Sequence, residues 1–179
     1  MKVEIRWMVE VDVPRVVAIE NCWDYLSKWG EEGYLQVLGK PFLFCPLVAE
    51  VESGGRTSPG EAGTLAGVAV LALMVDHGEL CNLMVPPRYL GKRVGRQLLT
   101  RCLQVARQRR LTRIFLEVRH SNHRAIRFYR RNGFEIVSRR RNYYRDPPED
   151  AWVMEREAPK DPFPNGGSRV LKGMDVLPR

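Results

Sequence analysis

Between Pro86 and Arg145 the chain carries eighteen basic residues and only two acidic ones, Glu117 and Glu135. Glu117 stands in a stretch that opens as an apolar strand, Ile114 to Arg119, where a carboxylate can take up a proton. Tyr129 follows twelve residues later. Its phenol, with an ordinary pKa of about 10, still holds a proton to give at neutral pH. A carboxylate and a phenol facing one cleft could move a proton off a nucleophile and onto a leaving group. A third candidate is NLMVPPRYLGKRVGRQLL, residues 82–99, in which a loop with Gly91 and Gly95 feeds a helix. The unpaired amides at such a helix start, together with its positive dipole end, suit a phosphate or pyrophosphate. Lys92, Arg93 and Arg96 add positive charge there. No G-K-[ST] follows, and the spacing is not G-x-G-x-x-G, so neither nucleotide fingerprint applies. Each feature taken singly also has a plain structural explanation: an ion pair for Glu117, a core stripe with Ala125, Ile126 and Phe128 for Tyr129, and an ordinary strand-to-helix turn.

The elements that must position these groups can be read from periodicity. VEIRWMV alternates as a first strand, and Asp12 then Pro14 signal an N-cap and early proline of a helix through Glu20. Leu26 to Leu38 suggests a second helix interrupted by Gly30 and Gly33. Phe42 to Glu52 is strand-like, and the Gly54 to Gly63 stretch has the composition of a flexible loop. Gly67 to Val75 and Leu80 to Val85 form a hairpin pattern around Gly78. After Pro86 and Pro87, apolar residues at Val94, Leu98, Cys102, Val105 and Ala106 predict a helix lying on a sheet. In Ile114 to Arg119, alternation sends Ile114, Leu116 and Val118 one way, and Phe115 and Glu117 the other. Asn122 is placed to cap a helix ending at Asn132 and Gly133. Phe134 to Arg141 and Ala151 to Arg156 close the pattern as a strand pair around the turn-rich NYYRDPPED. The order is that of an α/β domain with a mixed sheet over residues 1–158, followed by a frayed tail over 159–179.

Composition bounds the function. The 179 residues, 44% hydrophobic, suit one compact domain. The longest apolar run, Leu65 to Val75, is well short of a membrane span, and the charged amino terminus is unlike a signal peptide, so a cytoplasmic protein is expected. Four scattered cysteines and three histidines without companion ligands suggest no metal. The net charge of +8 divides into +16 over residues 86–145 and −8 elsewhere, the footprint of an anionic ligand.

Strand, glycine loop, helix and then LEVRHSNHRAIRFYRRNGF (116–134) together resemble the acyl-CoA-binding core of the GCN5-related N-acetyltransferases. The fuller pattern, with RRNYY at 140–144 and Glu149 to Met154, is similar to the RimI group, which acetylates the N-terminal alanine of ribosomal protein S18. The likeness is densest over 82–154. It implies a mixed twisted sheet of about six or seven strands flanked by about four helices, acetyl-CoA as cosubstrate, no metal, and a protein N-terminus as acceptor. It further implies that the backbone of Leu83, Met84 and Val85 meets the acetyl and pantetheine portion. The loop amides of Gly91, Lys92, Arg93, Val94, Gly95 and Arg96 would grip the pyrophosphate. Asn122 and Tyr129 would also contact the cofactor, with Glu117 as general base and Tyr129 as general acid.

The loop departs from the family's Q-x-x-G-x-[GA]. One alignment puts Leu90 at the glutamine and Arg93 at the first glycine, whereas the other reads Arg88-x-x-Gly91-x-Arg93. A Cβ at position 93 resists positive φ, and a guanidinium there could supply the anion contact instead. Chemistry favours an α-amine acceptor, since a pKa of about 8 leaves it far more easily neutralised than a lysine at about 10.4. A lysine or small-molecule amine is the second enzyme reading, and a non-catalytic RNA-binding or ribosome-binding module the reading of another class. No membrane partner is expected, and no RNA-reading motif accompanies the arginines.

Overall fold

The computed structural model describes residues 1–23, 28–51 and 63–159. Among these, β1 (Val3–Trp7), β2 (Phe44–Val51), β3 (Thr64–Leu73), β4 (His77–Met84), β5 (Arg113–Arg119), β6 (Glu135–Arg145) and β7 (Pro148–Glu157) form one sheet. The strand order is β1-β2-β3-β4-β5-β7-β6. Every pairing is antiparallel except β4 with β5. The helices are α1 (Val13–Glu20), α2 (Gly30–Leu38), α3 (Val94–Gln108) and α4 (His123–Arg131). The described residues therefore form a mixed α/β sheet, as the element order implied, flanked by four α-helices, as the resemblance implied.

Alternation along the central strands sends side chains to both faces, and each face has its own core. Leu47, Leu71, Leu98, Leu99, Ile114, Leu116, Phe134 and Met154 pack together under α3 and α4. Val16, Ile19, Tyr34, Val37, Val48, Val68, Val70 and Met84 pack under α1 and α2. Helix α3 lies close on the sheet because β3 offers Gly67 beneath it: a Cβ there would come within 2.9 Å of both the Leu98 side chain and the Met84 carbonyl.

Several boundaries differ from the periodicity reading. β3 begins at Thr64, where it pairs with Val51 of β2, and ends at Leu73; β4 begins at His77, its polar flank His77 to Glu79, which alternation alone leaves out, being recruited by pairing with β3 and β5. NYYRDPPED is mostly strand: β6 continues through Arg145 and β7 starts at Pro148, leaving Asp146 and Pro147 as the turn. Proline is tolerated as the first residue of a strand, where no ladder bond from its nitrogen is needed. Helix α2 contains Gly33 without interruption and starts at Gly30, whose φ is +63°. The start expected at Leu26, the loop over 54–62 and the tail from 160 lie outside the described residues.

Asp12 was expected to cap α1 with its side chain, but it makes no such bond. The carboxylate is fully buried and accepts the Val9 amide at 2.9 Å, the Arg6 guanidinium at 2.6 and 2.9 Å, and Arg15. Arg6 also donates to Glu50 at 2.7 Å, so the cluster ties β1, β2 and α1 together. Burial pulls the Asp12 pKa up, but Arg6, the Val9 amide and Arg15 outweigh it and leave the carboxyl below its ordinary value. A depressed folded-state pKa stabilises the fold above the unfolded value, and that gain is lost as pH falls through the folded one. Asp12→Ala is expected to cost about 3 kcal/mol in urea denaturation near neutral pH, because it removes the buried carboxylate that two guanidinium groups share, leaving Glu50 as their one remaining carboxylate among the described residues, and strips the Val9 amide of its acceptor. The gap between variant and wild type should narrow in acid, where wild-type Asp12 is itself protonated.

Candidate active site

The parallel pairing of β4 with β5 covers only His77, Gly78 and Glu79 opposite Arg113, Ile114 and Phe115. Beyond Glu79 the strands part. The cause lies on the other edge of β4, where the register with β3 slips between Val70 and Leu71 and leaves Cys81 as an extra residue. A bulge of this kind bends its strand and turns the following side chains over. Leu80 accordingly packs under α3 and α4, whereas Met84, four residues on, packs under α1 and α2. In a regular strand those two would share a face. Asn82 is carried to the α1–α2 face by the same slip, and Leu83 returns to the other core.

A cavity of about 320 Å³ occupies the gap. Leu80, Cys81, Asn82 and Leu83 line it from β4, and Glu117, Val118 and Arg119 from β5. Asn122, Ala125 and Tyr129 close it on one side of the sheet, and Trp29, Tyr143 and Tyr144 on the other. Glu117 and Tyr129 thus start from opposite faces and meet only because the sheet is split between them. Leu116 and Val118 point into the α3–α4 core, which sends Glu117 the other way, while Tyr129 belongs to that core.

The plain structural explanations for the two residues hold in part. Glu117 does pair with an arginine, its Oε1 lying 2.6 Å from Nη1 of Arg140, and it also accepts a hydrogen bond from Tyr143. A carboxylate offers about four lone-pair directions, so two partners leave acceptor capacity toward the cavity. Tyr129 does sit in a core stripe, its ring 5.3 Å from Phe128 and 5.7 Å from Phe134. Burial raises its pKa well above that of an ordinary phenol. Its hydroxyl therefore keeps its proton throughout the physiological range.

The wall on the far side is built by Arg119 and by a second bulge. Between Arg140 and Tyr144 the β6 register against β7 slips, with Asn142 at a φ of +50°. Tyr143 is re-aimed at Glu117 as a result, and that hydrogen bond, followed by burial, pushes its phenol up to about 12. Arg119, nearly buried, donates to the carbonyls of Asp146 at 2.7 Å and Pro147 at 3.0 Å. It also pairs with Glu149 at 3.2 Å and lies 4.1 Å from the ring centre of Tyr144. The tip of the β6–β7 hairpin is thereby pinned to the end of β5.

At the other mouth, β4 leads into the loop before α3. Gly91 and Arg93 take left-handed backbone, with φ of +77° and +66°, and α3 begins at Val94. Gly91 and Arg93, which stand at the first-glycine position of the two alignments, thus share a conformation that glycine adopts without strain and arginine resists. Gly95 rests on the end of β4, where a Cβ would meet Leu83 and Val85 at 3.5 Å. Arg93 provides no side-chain cap, and the first backbone bond into it from the helix comes from Gln97. The amides of the first turn are therefore left without a side-chain cap from Arg93, the state in which a helix start can accept an anion. Arg93→Gly is expected to raise stability by about 0.5 to 1 kcal/mol in thermal melts, relief of the left-handed strain outweighing the added freedom of the unfolded chain. Asn122 caps α4 as expected, accepting the Ala125 amide at 3.0 Å.

The pattern of the acetyltransferase (GNAT) family matches residues 16–134. The chain belongs to that family. It is an acetyl-CoA-dependent N-acetyltransferase. The acetyltransferase is 37% identical over 145 residues to the ribosomal protein bS18-alanine N-acetyltransferase of Escherichia coli K12, covering 80% of this chain and 89% of that one. It is 37% identical over 100 residues to the N-alpha-acetyltransferase RimI of Mycobacterium tuberculosis, covering 54% of this chain and 61% of the relative. The crystal structure of the ribosomal-protein-S18-alanine N-acetyltransferase from Escherichia coli superposes with a TM-score of 0.72 at 28% identity, covering 88% of this chain and 94% of that one. Among the described residues the acetyltransferase has no group of three or more His, Cys, Asp or Glu able to hold a metal, and no helix long and apolar enough to cross a membrane.

The sequence reading left several lining residues of the acetyltransferase without a role. Tyr143 and Tyr144 were part of the quoted RRNYY, but only the bulge shows which way they face. Asn82 had a signal of its own, a carboxamide inside an otherwise apolar strand. Trp29 had none, since it reaches the cavity from just before α2, in a stretch without a motif.

Proposed function

We propose that the acetyltransferase acts on the α-amino group of a protein N-terminus, that of ribosomal protein S18, with acceptor and acetyl-CoA entering the split sheet from opposite faces. The observation that carries this reading is a single cavity that joins a carboxylate on the α1–α2 face to a phenol on the α3–α4 face. The similarity to the ribosomal protein bS18-alanine N-acetyltransferase of Escherichia coli K12 supports the choice of acceptor. A ribosomal acceptor also makes the cytoplasm the place of action.

On the α3–α4 side, the first-turn amides of α3 with Arg93 and Arg96 hold the coenzyme's pyrophosphate, and the unpaired edge of β4 over Leu83 to Val85 takes its pantetheine arm. Asn122 and Tyr129 complete that wall. On the other side, Glu117 removes a proton from the incoming ammonium, directly or through one water. The amine nitrogen attacks the thioester carbon, a C–N bond forms, and the carbonyl oxygen takes up negative charge. Backbone amides near Met84 are the donors at hand for that charge, each such donor being worth about 3 kcal/mol in the transition state. The C–S bond then breaks as the carbonyl re-forms, Tyr129 donates its hydroxyl proton to the departing sulfur, and the second proton shed by the nitrogen restores the phenol, directly or through water. Direct transfer is favoured over an acyl-enzyme because the cysteine in the cavity is a poor nucleophile: burial pushes the Cys81 thiol up to about 11.

The test is thiol release from acetyl-CoA with a panel of peptides. One arm carries the amino-terminal residues of S18 with a free α-amine, and another carries the same residues blocked at the terminus with a lysine inside. Turnover is expected only with the free terminus. Acetylation of the blocked peptide at lysine, with none at the free terminus, would overturn the choice of acceptor.

A further inference from the structure

Three polar side chains form a line from the back of α1 to the cavity. Glu20, at the last position of α1, is 1% exposed. Its carboxylate accepts the amides of Trp29 at 2.8 Å and Gly30 at 3.0 Å, which caps the start of α2, and the hydroxyl of Tyr34 at 3.1 Å. Tyr34 is fully buried, and its oxygen accepts from Nδ2 of Asn82 at 3.2 Å. Burial first, and then the neighbouring Glu20 carboxylate, raise the Tyr34 phenol far above its ordinary pKa. The hydroxyl consequently keeps its proton and gives it to Glu20, so that a lone pair is what it presents to Asn82.

That polarity settles which way the carboxamide points. With nitrogen turned toward Tyr34, Oδ1 is the other prong of Asn82, and Asn82 lines the cavity on the same face of the sheet as Glu117. Folding alone does not call for this arrangement. Glu20 would cap α2 without Asn82, and asparagine is disfavoured within strands relative to the branched apolar residues that surround it here. An amine about to attack carries more than one N–H, and once one proton has gone to Glu117 a fixed carbonyl on another would aim its lone pair at the thioester. Building on the N-terminal reading above, we infer that Asn82 Oδ1 is a hydrogen-bond acceptor for the incoming α-amino group, aimed by Tyr34 and Glu20 as positioning residues.

The experiment is steady-state kinetics by thiol release, with an S18 amino-terminal peptide and acetyl-CoA each varied in turn. Tyr34→Phe removes only the hydroxyl and Asn82→Ala removes the carboxamide. Each should raise the KM for peptide about tenfold, while the KM for acetyl-CoA stays within about twofold of wild type. Because the two residues act as one unit, the double variant should be no worse than Asn82→Ala alone. A merely structural role predicts something else, namely a lower melting temperature and less active enzyme with the peptide KM unchanged. An unchanged peptide KM in Asn82→Ala, or fully additive effects in the double variant, overturns the inference while leaving the N-terminal reading intact. Failure of the wild type to turn over any free N-terminus overturns both.

Discussion

Glu117→Gln is expected to lower kcat for an N-terminal peptide by about 10²- to 10³-fold while leaving the KM for acetyl-CoA near its wild-type value, a loss within the usual range for a positioned general base. The substitution preserves size and the ability to accept a hydrogen bond, so the Tyr143 contact can persist, while the charge facing Arg140 disappears. Arg140 is more than half exposed, and losing so solvated an ion pair should cost little stability. What the glutamine cannot do is take a proton from the ammonium. The loss should therefore shrink as pH rises toward about 8, the pKa of a free α-amine, because the acceptor then arrives already neutral. A rate profile for the variant with no such recovery, or a kcat within threefold of wild type, would remove Glu117 from the proposed role.

Tyr129→Phe is the second large effect, expected at about a hundredfold in kcat with folding and coenzyme binding retained. The ring contacts with Phe128 and Phe134 survive the change, and only the hydroxyl goes. Without it, sulfur must leave as a bare thiolate in a partly apolar cavity, where an unmatched charge is costly. Since burial holds this phenol above its ordinary pKa, its own titration cannot produce a falling alkaline limb below about pH 10. The wild-type profile should stay level from neutral pH upward, since Glu117 supplies the deprotonation that Glu117→Gln must wait for the amine's own pKa to provide. The informative check is a thioester with a more acidic leaving thiol: it should rescue the variant and leave wild type nearly unchanged. Absence of that rescue would argue that the hydroxyl serves packing or binding.

Much of the fold was legible because its signals are local. The apolar spacing from Val94 to Ala106 demands one buried helical face, and that face is the one α3 presents to the sheet. Asn122 followed by a helical stripe marks a cap, and the cap is made. Alternation over Ile114 to Glu117 correctly separated core from cavity. Asp12 misled because an Asp before a helical proline is usually a cap, and nothing local reveals that Arg6 and Glu50 converge on the same point from two other elements. NYYRDPPED misled because its polar, proline-rich composition imitates a turn, whereas pairing with a neighbouring strand satisfies most of its backbone.

By itself, the sequence determined the element order, the helix faces and the family pattern that names Glu117 and Tyr129, because caps, periodicity and motif spacing act over a dozen residues or fewer. Tertiary structure alone decided that these two groups, rooted on opposite faces of a sheet, share one cavity. That outcome depends on a single extra residue, Cys81, which breaks the register of β4 against β3 and parts it from β5. A bulge is a mismatch in count between paired strands, so neither strand's sequence contains it. The direction of Asn82 depends on the same slip.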